Sequence, residues 1–221
     1  MSSPATYPDI RDPLFWELLE KSAPYSLLSV ERLYHIYKSV EYLSRHDLAG
    51  DIVECGVYLG GAVMLAAGVL SRLGSVTRRI YLYDTFKGFP EGVRDIALTG
   101  EVLTRQAWVT EPFRDQVLAN LAGTGYPVEN FVLVEGPVER TLPSTCPQQV
   151  ALVHLDTDYY QSTKHELIHL CPRLVQGGVL IIDDYGHFEG CRQATDEYFA
   201  EYKPKILLNR IDYTGRSGVK L

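Results

Sequence analysis

The apolar positions of this chain fall into two rhythms that alternate along most of its length. Residues 51–55 (DIVEC), 79–83 (RIYLY), 130–134 (NFVLV), 150–155 (VALVHL) and 177–182 (GGVLII) are short runs rich in β-branched and aromatic side chains. Such runs, without a strict polar alternation, mark strands covered on both faces. Elsewhere the apolar residues recur at helical spacing. Asp12-Pro13 is a helix start, a capping acid followed by proline in the first turn, and leads LFWELLEK. Residues 27–43 place Leu28, Leu33, Ile36, Val40 and Leu43 near one face of a second helix. Further helices are expected at 62–73, 113–121, 162–171 and 190–202, the third capped by Ser162 or Thr163 and stopped by Pro172. The runs 205–211 and 216–220 are separated only by Asp212-Tyr213-Thr214-Gly215, which leaves no room for a helix. They form a hairpin, so the last strand is antiparallel. The pattern predicts one α/β domain over 1–221, Rossmann-like, with a mostly parallel seven-stranded sheet and an antiparallel C-terminal hairpin. Residues 1–45 are expected as an N-terminal helical cap. Residues 85–112 are expected as a lid loop carrying Phe86, Phe89 and Trp108, since irregular stretches of that length in compact domains are usually functional.

The strand ends carry the candidate chemistry. VALVHL runs into Asp156 and Asp158, and GGVLII runs into Asp183 and Asp184. Parallel strands present their functional groups at their C-terminal ends, so two such ends side by side gather at least three acids. Carboxylates that close repel one another and raise one another's pKa. A divalent cation resolves the conflict, and an all-oxygen site suits Mg²⁺ or Mn²⁺ better than zinc. Asp also favours turns and helix caps, but both strands end this way. The first strand leads into Glu54-x-Gly56-Val57-Tyr58-Leu59-Gly60-Gly61. This strand–turn–helix corner lacks the spacing that closes on a pyrophosphate. Its leading acid suits instead a cofactor with an ammonium and a sulfonium and no phosphate, as in S-adenosylmethionine. Asp84, ending the second strand, is placed to accept hydrogen bonds from ribose hydroxyls. The loop from Glu135 through Val138 and Glu139 is placed to cover an adenine.

Composition narrows the class. A formal charge of -7 argues against nucleic acid. No apolar run reaches membrane-span length, and the polar start lacks a signal peptide's apolar region. Four cysteines without CxxC spacing fit reduced thiols in a cytoplasmic protein. One motif points elsewhere: His165-Glu166-Leu167-Ile168-His169 matches HExxH, the helical zinc motif of metallopeptidases, with Glu189 as an imaginable third ligand. Its position in a crossover helix, away from the strand ends, speaks against that use. His154 lies inside a strand and reads as a satisfied core histidine. His187, with Tyr58, Tyr159, Tyr160 and Tyr185, falls at crevice positions suited to a substrate surface.

Taken together, VECGVYLGGA, YDTFKGFP, LDTDYYQSTKHEL, GGVLIIDDYGH and RIDYTGR resemble the macrocin O-methyltransferases, which methylate sugar hydroxyls on macrolides and aminocoumarins. The likeness runs from about Tyr25 to the C-terminus. It implies a Rossmann-like methyltransferase that uses S-adenosylmethionine and Mg²⁺ and acts on a glycoside, and a homo-oligomer is expected. Asp156, Asp183 and Asp184 look like the family's metal ligands and Asp158 like its general base. Asp84 looks like the ribose acid. Glu54, Gly56, Val57, Tyr58 and Gly61 look like the methionine corner, and Val138 and Glu139 like the adenine edge. Tyr159, Tyr185 and His187 are substrate candidates. In catechol O-methyltransferases a lysine follows the first metal acid by three positions; that slot here is Tyr159, so the base role passes to Asp158. The alternatives are a zinc peptidase through His165 and His169, and a cofactor-binding partner protein without turnover.

Overall fold

A computed structural model describes residues 4–90, 95–103 and 112–221. Asp12 begins the first helix as expected: its carboxylate accepts the amide of Leu14, and α1 runs over Pro13–Ser22. Helix α2 (Val30–Arg45) starts later than residue 27, because Ser29 is the cap and its hydroxyl accepts the amide of Arg32. Leu33, Ile36, Val40 and Leu43 form its buried stripe. Each such side chain contributes about 1.5–3 kcal/mol when fully removed from water.

Strand β1 (Asp51–Cys55), helix α3 (Gly61–Arg72) and strand β2 (Ile80–Asp84) form the first βα unit. The stretch expected as a lid is not wholly irregular where it is described, and its Phe89 lines the cavity. It contains two short paired strands, β3 (Asp95–Ile96) and β4 (Val102–Leu103), docked by a bridge from Ala97 to Phe188. Phe86 is fully buried against Phe113 and belongs to the core, because the chain turns inward there. Trp108 lies outside the described residues. Helix α4 (Arg114–Ala122) and strand β5 (Phe131–Glu135) follow.

The expected adenine loop closes as a single turn of helix, α5 (Val138–Thr141). Strand β6 (Val150–Leu155) is buried at every position. Helix α6 (Tyr160–Leu170) begins two residues before the expected caps, with Tyr159 at its N-cap. Ser162 caps nothing; its hydroxyl donates to the carbonyl of Tyr159 and accepts from Thr157. Strand β7 (Leu174–Ile182), helix α7 (Glu189–Tyr202) and the hairpin β8 (Asn209–Arg210) and β9 (Arg216–Val219) complete the chain.

The seven-stranded sheet has the order β5-β2-β1-β6-β7-β9-β8, parallel except for the final hairpin. Period-two alternation sends Ile52 to the core under α1–α4 and Val53 and Cys55 to the core under α5–α7. Order reverses between β1 and β6, one leading outward to β2 and the other to β7. A crevice above such a reversal is where open α/β sheets bind ligands. There the backbones nearly touch: the amide of Asp156 donates to the carbonyl of Cys55 over 2.8 Å. Gly56 has φ of +83°, and a Cβ there would lie 1.9 Å from the carbonyl oxygen of Asp156. Only glycine allows that approach.

Candidate active site

The crevice opens into a cavity of about 560 Å³, within the range of small-molecule sites. Its floor is the glycine corner. Glu54, Gly56, Val57, Tyr58 and Gly61 all line it, as does Asp84. Gly61 lets the start of α3 pack against the cap, since a Cβ there would stand 2.6 Å from the carbonyl oxygen of Ser22. Asp84 organises the corner: Oδ2 accepts the amides of Val57 (2.6 Å) and Tyr58 (3.2 Å), and Oδ1 accepts the amide of Phe86 (2.7 Å). Much of its accepting capacity is therefore used by backbone. Val138 lines the cavity, whereas Glu139 receives the hydroxyl of Tyr159 at 3.1 Å.

The second wall is acidic. One carboxylate oxygen each from Asp156, Asp158 and Asp184 lie within 4.8 Å of one another. Burial, then Asp183 and Asp184, push the Asp156 carboxyl well up from its ordinary value. Burial and Asp184 do the same to Asp158. Asp158 adopts φ of +74°, a left-handed conformation that Asp tolerates better than most residues. Asp183 is differently engaged. Its Oδ2 accepts from Arg32, and its Oδ1 lies 3.5 Å from His154 Nε2. Oδ1 of Asp183 and Oδ2 of Asp184 are buried with no hydrogen-bond partner, an expensive state for a carboxylate oxygen. Orphaned acceptors in an all-oxygen donor set are what a hard divalent cation satisfies. The residues fit such an ion.

His154 does more than fill the core. Its Nδ1 meets Glu54 Oε1 at 3.0 Å while Nε2 faces Asp183, so one imidazole links the glycine corner to the acids. Burial alone would push this histidine down, but Asp183 and Glu54 outweigh it and hold it well above its ordinary value. Arg32 on α2 and Asp212 in the final hairpin also line the cavity. Sequence reasoning missed both, because each sits in an unremarkable helix or turn and reaches the cavity only when folding joins three distant segments.

The remaining candidates divide. Tyr159 and His187 line the cavity, and His187 is hydrogen-bonded through Nδ1 to the hydroxyl of Tyr213. Tyr185 does not line it. The guanidiniums of Arg192 and Arg216 both lie over its ring, and its hydroxyl donates to Asp196 on α7. Tyr160 likewise turns to Glu197. Both were expected at crevice positions, and neither lines the cavity, because the sequence could not tell which way the turns aim them.

The HExxH match has no metal site around it among the described residues. His165 Nε2 donates to the carbonyl of Leu142, and Glu166 is fully buried, accepting from Thr157. Burial pushes the Glu166 carboxyl up to about 8. Among the described residues, neither group of side chains able to hold an ion includes His165 or His169. The motif is a packing coincidence.

The sequence profile of the macrocin-O-methyltransferase family (TylF) matches residues 20–217. The chain is 33% identical over 196 residues to the 8-demethyl-8-(2,3-dimethoxy-alpha-L-rhamnosyl)-tetracenomycin-C 4'-O-methyltransferase of Streptomyces olivaceus, covering 88% of this chain and 75% of that one. It is 30% identical over 194 residues to the demethyldecarbamoylnovobiocin O-methyltransferase of Streptomyces niveus, covering 86% and 74%. The solved structure of the O-methyltransferase NovP superposes with a TM-score of 0.79 at 30% identity, over 89% of this chain and 82% of that one. The chain belongs to the macrocin-O-methyltransferase family and is an S-adenosylmethionine-dependent O-methyltransferase.

Proposed function

We propose that this enzyme methylates a sugar hydroxyl of a glycosylated natural product with the help of Mg²⁺. The observation that carries the reading is the pair of orphaned, buried carboxylate oxygens on Asp183 and Asp184, beside the cavity that the glycine corner floors. Asp156, Asp183 and Asp184 would hold the ion. When bound, it supplies Lewis acidity toward a hydroxyl oxygen, which a sugar alcohol needs because its own pKa lies not far below that of water, about 15.7. Asp158 takes the hydroxyl proton as the oxygen attacks the sulfonium methyl; the C–S bond breaks and S-adenosylhomocysteine leaves. Burial and Asp184 raise Asp158, which makes its ionised form the stronger proton acceptor. Glu54 and the glycine corner orient the donor's methionine end. Much of the acceleration then comes from holding donor and acceptor in line.

A second reading is favoured by one observation. The three acids grouped within 4.8 Å are Asp156, Asp158 and Asp184, which makes Asp158 a ligand and leaves Asp183 to Arg32.

The substrate class is tested by offering the enzyme glycosides with free vicinal diols, and the same aglycones without sugar, and reading methyl gain by mass spectrometry. Transfer to the glycoside alone supports the reading; methylation of the bare aglycone instead contradicts it. The donor site is tested separately. Asp84→Ala removes the acceptor of two corner amides and of the Phe86 amide, and the candidate ribose partner with them. It is expected to weaken S-adenosylhomocysteine binding by about 1.5–3 kcal/mol, the range for hydrogen bonds to a charged group. Titration calorimetry on the folded variant measures this, and unchanged affinity would move the donor elsewhere.

A further inference from the structure

Three segments far apart in sequence meet at one guanidinium. Arg32 lies in the first turn of α2; its Nη1 donates to Asp183 Oδ2 at the end of β7, and its Nε stands 3.1 Å from Asp212 Oδ2 in the turn before β9. Ser29, the cap of α2, donates to the same Asp212 oxygen over 2.7 Å. The other oxygen of Asp212 accepts the amides of Thr214 (2.9 Å) and Gly215 (2.7 Å), so the acid is fixed by its own turn. A Cβ on Gly215 would stand 3.3 Å from Cγ and Cδ of Arg32, so the glycine leaves the arginine stem its channel. The three charged side chains are nearly enclosed, with exposures of 14% for Arg32, 2% for Asp183 and 16% for Asp212.

We propose that Arg32 is a positioning residue that joins closure of the N-terminal cap to cation binding at the acidic cluster. By holding Asp183 through Oδ2 it fixes the carboxylate, leaving Oδ1, which stands 3.5 Å from His154 Nε2 without a hydrogen bond, as the oxygen available to the ion. The same side chain ties residues 25–29, which with Arg32 line one side of the cavity, to the end of β7 and the final hairpin. A group that steadies a ligand for the ion is itself steadied when the ion binds, because coupling between two equilibria is reciprocal. The cap is then tightened by the ion. This rests on the metal reading above.

Charge and geometry make opposite forecasts here. Removing a cation from among carboxylates should, by Coulomb attraction alone, tighten binding of a divalent ion. Removing the fork that aims a ligand should weaken it, and partners of this kind typically contribute about 10–100-fold in metal affinity. Lysine keeps the charge but cannot span two carboxylates with a rigid fork. Asp212→Asn keeps Arg32 and every acid of the cluster, but removes the charge facing Arg32 and sets an amide donor against donors on one side or the other, Ser29 and Arg32 or the amides of Thr214 and Gly215.

The test uses the full chain, with Mn²⁺ titrated by calorimetry and hydrogen exchange followed over residues 25–32 with and without the ion. In the wild type, Mn²⁺ is expected to slow exchange in that segment. Arg32→Lys and Asp212→Asn are expected to bind Mn²⁺ about 10–100-fold more weakly and to lose the ion-dependent slowing. Should Arg32→Lys fail to fold, Asp212→Asn decides alone. Variants that bind Mn²⁺ as tightly as the wild type, or whose cap is still slowed by it, overturn the proposal, as would a cap that merely exchanges faster in both states. A wild type that binds no divalent ion removes the metal site itself, and with it this role for Arg32.

Discussion

Asp156→Asn is expected to lose methyl transfer and to bind a divalent cation at least about 100-fold more weakly than the wild type, the upper end of what even an outer partner contributes. The fold should survive. The substitution keeps the shape of a residue whose backbone amide already stitches β6 to β1, and it removes one negative charge from a crowd. The sign of the stability change depends on pH. Asp156 and Asp158 are both raised by burial and by neighbouring carboxylates. The folded state therefore holds protons that the unfolded chain, with Asp near about 3.9, has already released. Stability of the ion-free wild type falls as pH rises from about 4 through the raised values. Asp156→Asn relieves part of that penalty. Its ion-free melting temperature should equal or exceed the wild type's near neutral pH, with the difference shrinking as pH falls toward 4. Melting curves without added metal across that range measure it, and a variant that melts well below the wild type at neutral pH would contradict the repulsion argument.

Asp158→Asn separates base from ligand. If Asp158 takes the substrate proton, the variant binds Mg²⁺ and donor nearly as the wild type does, but turns over about 10²–10⁴-fold more slowly, the usual contribution of a positioned base. Raising pH should recover part of the rate, because hydroxide can accept the proton that asparagine cannot. If Asp158 is a ligand, as its closeness to Asp156 and Asp184 favours, metal affinity falls together with rate and higher pH does not help. His187, which lines the cavity and bonds to Tyr213, would then be the next candidate base. Metal titration beside a pH–rate profile distinguishes the two outcomes.

Most of the scaffold was legible because two periodicities carry it. The fully buried β6 and the Ile52/Val53 alternation of β1 follow from which faces the helices cover, and the final hairpin follows from a four-residue gap. The glycine corner and the strand-end acids were legible for a similar reason: residues next to one another in sequence remain so in space. What stayed hidden depends on long-range convergence. Nothing in VERLYHIYK tells that Arg32 reaches a residue 151 positions away. His154 read as core packing, and only the register that aligns Glu54 with His154 shows it as a link between donor corner and acids. Turn direction was illegible too, so Tyr185 was placed at the crevice when the turn after β7 aims it at Arg192 and Arg216. HExxH was matched by spacing alone; its place in a crossover helix already spoke against a zinc site, and Glu166 is indeed buried.

The central claim is that the acid cluster binds a divalent ion that methyl transfer requires. The most direct measurement takes purified wild-type enzyme and a glycoside that it methylates, removes divalent ions with a chelator, and follows methyl transfer from S-adenosylmethionine before and after Mg²⁺ is restored. The expected result is a rate that collapses on chelation and returns with Mg²⁺, while donor binding by calorimetry persists throughout. A rate untouched by the chelator would contradict the account.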